Sequence, residues 1–302
     1  MMARLQRALF RCSITMAVLA VAAGLTAGAA QAAATAAPAS GTPAVIHSIA
    51  SSAQTSTAKF WTRARMESAA SAGSGDTAGP PPGTPNPVHF NGVPTVGALF
   101  YTTGSQEHFC TASVVDSATL NLILTAAHCV YDGTYATNIA YVPEWHNGIS
   151  PYGEWPVQRI TVARGWAQTQ DPSLDYAFLA VASPANSGPP IQLVTGGLRL
   201  GINVGYAHRI YVIGLNNTDS QPLGCATRSF EFEPGQLQFY CNDFWDGTSG
   251  GPWILHLNPV TGSGVVFGDI GGYEQGGDYT WTSYSDYYGA ATLRLFTQAQ
   301  LS

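Results

Sequence analysis

The residues with the most chemical content in this chain are Ser249 and His128. Ser249 lies in the run Gly247-Thr248-Ser249-Gly250-Gly251-Pro252. Glycines on both sides let the backbone bend sharply and bring its N–H groups close to a bound carbonyl. A serine hydroxyl is a weak nucleophile until a neighbouring base takes its proton, so such a turn needs a histidine partner. His128 is the candidate, closing the apolar run of residues 122–127 and followed by Cys129. A glycine- and serine-rich run alone is as often a plain loop; the upstream Thr125-Ala126-Ala127-His128-Cys129 weighs against that. The third candidate is Asp175, which opens the apolar run Tyr176 to Val181. At a strand edge a carboxylate can accept from an imidazole N–H and hold one tautomer. Its rivals are Asp171, which with Pro172 reads as a turn initiator, and Asp132, which with Gly133 reads as a tight turn.

In these residues the chain resembles the chymotrypsin-like (trypsin-fold) serine peptidases, in particular the secreted bacterial branch that includes the glutamyl endopeptidases. Three motifs carry the likeness, in the order histidine, aspartate, serine: residues 125–129, Leu174-Asp175-Tyr176-Ala177-Phe178-Leu179, and the Ser249 turn. It spans roughly residues 88–302. The resemblance implies His128 as general base, Asp175 as its orienting acid, and Ser249 as nucleophile. It implies an oxyanion hole from the backbone N–H groups of Gly247 and Ser249, where loss of one donor typically costs about 100- to 1000-fold in turnover. It also implies disulfides Cys110–Cys129 and Cys225–Cys241, although the residues alone allow three pairings of these four cysteines. The implied partners are protein or peptide substrates and the chain's own pro-segment.

Two departures from the family pattern bear on activation and specificity. The residue before the nucleophile is Thr248, where trypsin has an aspartate that pairs with the new N-terminus. The pocket for the residue preceding the scissile bond is expected from Asp243, Phe244, Asp269 and Gly271. Asp243 stands six residues before Ser249, where trypsin places its cation-binding aspartate. Phe244 and Trp245 are bulky, and the histidine that glutamate-preferring enzymes place late in the chain is missing between residues 257 and 302. Preference among Glu, Arg or Lys, and apolar residues is left open.

Residues 1–32 read as a secretory signal peptide: Arg4, Arg7 and Arg11, then an apolar stretch, then Ala30-Gln31-Ala32. The mature chain is accordingly expected outside the cell, as a monomer. Cys12 leaves with that peptide, and the other four cysteines then enter an oxidising compartment. Residues 33–85 are rich in Ala, Ser, Thr, Gly and Pro and read as a largely disordered pro-segment, which makes the chain a zymogen. Within it, residues 58–66 mix aromatic and basic side chains and look like a short docking element. From residue 86 onward sixteen acids face six arginines and no lysine, which disfavours nucleic acid and anionic membranes. No C-x-x-C or H-x-x-x-H spacing occurs, and His47, His89, His108, His146, His208 and His256 are scattered. Neither a metal nor a cofactor is expected.

Short apolar runs separated by Gly, Asn, Asp and Pro predict an all-β domain over residues 86–302. The expected fold is two six-stranded antiparallel β-barrels, about 88–182 and 191–302, with the cleft between them and a short helix over 290–300. The function this supports is a secreted serine endopeptidase acting through an acyl-enzyme on Ser249. Two alternatives remain: a catalytically silent binding module, and an esterase or narrow-target hydrolase on the same fold.

Overall fold

The computed structural model describes residues 44–69, 79–184, 188–216 and 219–301. The expected signal peptide lies outside these residues, as do 33–43 and 70–78 of the expected pro-segment. In chain order the first elements are β1 (Ala44–Ser48), α1 (Ser51–Phe60), α2 (Arg63–Ser68) and β2 (Val88–His89). Then come β3 (Val96–Thr103), β4 (Gln106–Val114), β5 (Leu122–Thr125), β6 (Tyr131–Asp132), β7 (Thr134–Tyr135), β8 (Thr137–Pro143) and β9 (Trp155–Ala163). Helix α3 (Arg164–Thr169), β10 (Ala177–Val181), α4 (Ile191–Thr195) and β11 (Arg199–Leu200) lead into the second half. That half holds β12 (His208–Gly214), β13 (Leu223–Glu233), β14 (Gln236–Tyr240), β15 (Pro252–Leu255), β16 (Val265–Asp269), β17 (Thr282–Asp286) and α5 (Ala290–Leu301).

Branched and aromatic residues dominate the strands, since such side chains pack well on a pleated surface. The apolar runs 96–102, 112–115, 120–124, 139–142, 157–162 and 176–181, read as strands of the first barrel, fall on β3, β4, β5, β8, β9 and β10. They pair in the order β9-β10-β5-β4-β3-β8, and Ala140↔Pro156 and Tyr141↔Trp155 close β8 onto β9. β5 is buried along its whole length, as a core strand with no wet face must be. Leu99, Leu122, Ile123, Leu124, Phe178 and Leu179 fill the interior at 0 % exposure.

The second set follows the order β11-β16-β15-β12-β13-β14-β17, with β2 on β13. Its ends meet where Asp269 N donates to Ser285 Oγ (3.0 Å) and Gly271 N to Tyr284 O (3.1 Å). Phe239, Trp253 and Phe267 stack edge to face through its centre. The C-terminal helix α5 returns to the first barrel: Phe296 packs on Phe178, and Arg159 Nη2 donates to Ala299 O (2.9 Å).

The composition of residues 33–85 implies disorder, and over residues 44–69 the structure corrects that expectation. β1 pairs antiparallel with Arg159–Ala163 of β9, the stretch beyond the part of β9 that closes on β8. The two helices then carry Trp61 and Met66 into a cluster with Phe100, Phe109, Val142, Trp145 and Leu215. Trp61 is 2 % exposed, and its Nε1 donates to Asn138 O at 2.5 Å. Arg65 lies over the Phe60 ring (4.1 Å) and pairs with Glu107 (2.5 Å). Composition misses this because the large side chains that the arm buries, Trp61 and Met66, stand amid bland neighbours; the mixed segment 58–66 was the visible signal. Replacing a buried tryptophan by alanine removes its transfer energy and leaves a void, about 3–5 kcal/mol. Trp61→Ala is therefore expected to lower the unfolding free energy by that amount, measured by equilibrium urea unfolding. A change below about 0.5 kcal/mol, typical of surface substitutions, would show that the arm is not part of the folded body.

Candidate active site

Asp175 caps the 3-10 turn Pro172–Leu174 and stands two residues before the start of β10. It is fully buried, so its carboxylate must be satisfied by protein groups. Oδ1 accepts from the backbone N–H of His128 (2.9 Å), while Oδ2 accepts from His128 Nδ1 (2.8 Å) and the backbone N–H of Gly272 (3.0 Å). His128 is thereby gripped at both backbone and ring, with Nδ1 holding the proton and Nε2 left as the basic nitrogen. Its side chain is 12 % exposed. Burial presses the imidazole pKa down, but the charge and hydrogen bond of Asp175, with smaller help from Asp269 and Asp132, outweigh it. The net pKa is raised above 6.5.

The Ser249 turn belongs to the second barrel but is tied to the first. Thr111 of β4 donates from its N–H to Ser249 O (2.8 Å) and from its hydroxyl to Gly247 O (2.9 Å). The same hydroxyl accepts from Leu215 N (2.9 Å). On the other side Gly250 N donates to Ile270 O (2.7 Å) and Ile270 N to Gly251 O (3.0 Å). Gly247 has φ +94°, and a Cβ there would lie 2.5 Å from the Phe109 ring. Only glycine fits that conformation and that approach. Among the described residues, neither the N–H of Gly247 nor that of Ser249 donates a hydrogen bond. Both residues line a cleft of about 540 Å³ together with His128, Phe109, Phe244 and Thr248.

The structure distributes the expected specificity residues differently from the sequence reading. Phe244 lines the cleft at 4 % exposure. Asp243 sits outward in a turn at φ +62°, with its backbone oxygen accepting from Asn216 Nδ2 (3.0 Å), and does not line the cleft. Asp269 lies behind the catalytic groups at 0 % exposure, where Tyr288 OH donates to its Oδ1 (2.5 Å). Burial pushes its carboxyl up to about 7, with the charge of Asp175 adding to the rise. Gly271 backs Asp175: a Cβ there would stand 2.8 Å from Asp175 O and 3.2 Å from Oδ2. Neither Asp269 nor Gly271 is placed to touch a substrate.

Sequence reasoning missed Thr111 and Gly272, whose contributions are made by backbone groups and a common hydroxyl that no spacing singles out. It also missed Asp246, Glu274 and Asp278 on the cleft wall, where Asp132, considered only as a rival to Asp175, lies too; among the described lining residues there is no lysine or arginine. Thr248 is buried, with its hydroxyl donating to Trp245 O (2.6 Å).

Both disulfides form as the resemblance implied. Cys110–Cys129 joins β4 to the residue after His128, and Cys225–Cys241 joins β13 to the end of β14. They enclose loops of separation 19 and 16, a constraint on the unfolded chain of roughly 2–4 kcal/mol each. Cys110, His128 and Cys129 cluster at ligand distances, but both sulfurs are consumed in the disulfide and offer no thiolate to a metal.

The family model described as Trypsin matches residues 85–288. Among solved structures, the protease Anisep from Arthrobacter nicotinovorans is 24 % identical, with a TM-score of 0.63, covering 71 % of this chain and 99 % of that one. The thermostable serine protease AL20 from an extremophilic microorganism is 23 % identical with a TM-score of 0.61, covering 69 % and 98 %. A Glu endopeptidase in complex with MPD is 16 % identical with a TM-score of 0.55, covering 73 % and 99 %. At these identities the structures speak for the fold. No curated protein matches the chain.

The raised imidazole fixes the direction of the pH dependence. A base must be neutral to act, so kcat/KM is expected to rise with pH and reach half its plateau above the ordinary imidazole value of 6.5, where the raised pKa of His128 in the free enzyme lies. A pH profile flat from 8 to 5, or with its acid midpoint below 6.5, would contradict the grip of Asp175 on His128.

Proposed function

The chain belongs to the trypsin family and is a serine-type peptidase, and on that premise we propose that it is a secreted endopeptidase that cleaves proteins through an acyl-enzyme on Ser249. The observation that carries this reading is the fully buried Asp175 carboxylate bonded to His128 Nδ1 beside a cleft that His128 and Ser249 share. In the first half-reaction His128 Nε2 takes the Ser249 hydroxyl proton as Oγ attacks the substrate carbonyl. The oxygen of the tetrahedral adduct becomes negative, and the unbonded N–H groups of Gly247 and Ser249 receive it. His128 then returns the proton to the departing amine, leaving an ester on Ser249. Water, deprotonated by the same imidazole, attacks that ester and regenerates the enzyme. Asp175 stays ionised throughout and stabilises the imidazolium.

Export rests on the amino-terminal signal-like sequence and on the two disulfides. No helix among the described residues is long and apolar enough to cross a membrane. In this reading residues 33–85 act as a pro-segment and the active species is a monomer. None of residues 44–69 lines the cleft, so this part of the segment props the fold rather than plugging the site. The carboxylates on the cleft wall repel an acidic side chain beside the scissile bond, which separates this enzyme from a glutamate-specific one.

Cleavage of a mixed peptide library by the purified protein, read by mass spectrometry, tests the reading. Hydrolysis is expected after neutral or basic residues in preference to Glu, and Ser249→Ala should retain less than about one part in a thousand of it. A variant keeping several per cent would remove Ser249 as nucleophile, and a dominant preference for Glu would overturn the charge argument.

A further inference from the structure

A second groove, of about 610 Å³, lies between strands β12 to β14 and residues 81–85, the last of the expected pro-segment; the side that carries its arginines and rings is made by the strands alone. Two of the domain's six arginines line it. Arg209 and Arg228 are directly opposite each other in the β12–β13 ladder, and both are exposed. Like charges in that position destabilise a sheet unless something neutralises them. Among the described residues neither arginine has a carboxylate partner; the ion pairs present lie elsewhere. This is an uncompensated positive spot on a domain with sixteen acids.

The groove is also connected to the catalytic cleft. Tyr279 lines the cleft and lies 5.2 Å from Trp281. Trp281 lies 5.7 Å from Tyr240, and Tyr240 lies 5.0 Å from Phe230. Tyr240 and Phe230 line the arginine groove. All four rings are half-buried, so each keeps part of its surface open. Such rings give a sequence-tolerant apolar track, and arginines give a charge-specific end to it. An extended peptide advances about 3.3–3.6 Å per residue, so the three ring-to-ring steps correspond to about five residues.

We propose that Arg209 and Arg228 form an exosite for an acidic stretch of the polypeptide substrate, reached along the ring track Tyr279, Trp281, Tyr240, Phe230. The inference rests on the proteolytic reading above. The acidic cleft wall and the basic exosite together select a polarised substrate: neutral or basic at the scissile bond, acidic at least about five residues away. Binding at the exosite adds to encounter and retention, so it acts on kcat/KM and leaves the chemical step alone.

The test compares two fluorogenic peptides that share one cleavable core, one of them carrying four glutamates beginning five residues from the scissile bond, with the tail placed in turn on either side. On one side, wild type is expected to cleave the tailed peptide with kcat/KM about fivefold higher, the gain two exposed ion pairs provide. That gain should vanish in ~0.5 M NaCl, where the screening length falls to a few Å. It should also vanish in Arg209→Gln/Arg228→Gln, while the untailed peptide is cleaved as before. Equal cleavage of tailed and untailed peptides by wild type, or a gain that survives in the double variant, would overturn the exosite. If neither peptide is cleaved, the proteolytic reading itself has failed. Fluorescence anisotropy of the tailed peptide on the Ser249→Ala protein then decides the exosite separately: binding lost with the two arginines supports it, and no binding overturns it. Retention of a sulfated polysaccharide through the same arginines, with no effect of the peptide tail, would overturn the polypeptide occupant.

Discussion

The buried carboxylate of Asp175 is the constraint on which the rest of this molecule depends. A charge removed from water persists only if its lone pairs are met by well-placed donors. Here three donors converge on it, from two barrels: the ring and backbone of His128 from the first, and the backbone of Gly272 from the second. Satisfying one charge therefore fixes how the barrels meet. It also fixes the imidazole's tautomer and direction, so the electrostatic demand and the catalytic geometry are the same arrangement. Gly271 follows from this demand, since any Cβ there would press on Asp175 from behind. Asp269 and Asp286, both fully buried nearby, answer the same field differently: burial, aided by the charge of Asp175, raises both carboxyls.

Thr111 supplies the second fastening between the barrels. One residue of β4 holds the oxygens of Gly247 and Ser249 and orders Leu215. Two residues earlier on the same strand, Phe109 occupies the space where a Cβ on Gly247 would lie. Phe109 belongs to the cluster anchored by Trp61. A continuous packed path thus runs from the amino-terminal arm, through Phe100 and Phe109, to the backbone that would meet a developing oxyanion. Thr248, which offers no carboxylate for a new N-terminus, fits this picture. In this chain the amino-terminal arm, folded onto the first barrel, reaches the nucleophile turn through Phe109.

What the sequence disclosed, and what it concealed, follows from where the information resides. The strands of both barrels were legible because each carries a dense apolar run cut off by Gly, Pro or Asn. His128, Asp175 and Ser249 were legible because their neighbours are as unusual as they are: a histidine between a buried apolar run and a cysteine, an acid just before an apolar run, a serine among glycines. Thr111 and Gly272 were not, because one is a common hydroxyl and the other acts through its peptide N–H. Asp243 and Asp269 misled for a related reason. Asp243 stood at a suggestive count from Ser249 and Asp269 in a late run expected to line the pocket, but a turn at positive φ sends Asp243 outward, and the pairing of Pro252 with Asp269 carries the latter behind the site. The arm was hidden by averaging: Trp61 and Met66 bury themselves within a stretch whose mean composition describes a linker.

The central claim is that the Asp175–His128 pair activates Ser249, and covalent labelling addresses it most directly. The folded protein would be treated with a fluorophosphonate and mapped by peptide mass spectrometry, alongside His128→Ala. The account predicts a single adduct on Ser249 in the parent, formed at least about a hundredfold faster than in the variant. A folded parent that takes no label, labels at another residue, or labels at the same rate without His128 would contradict it.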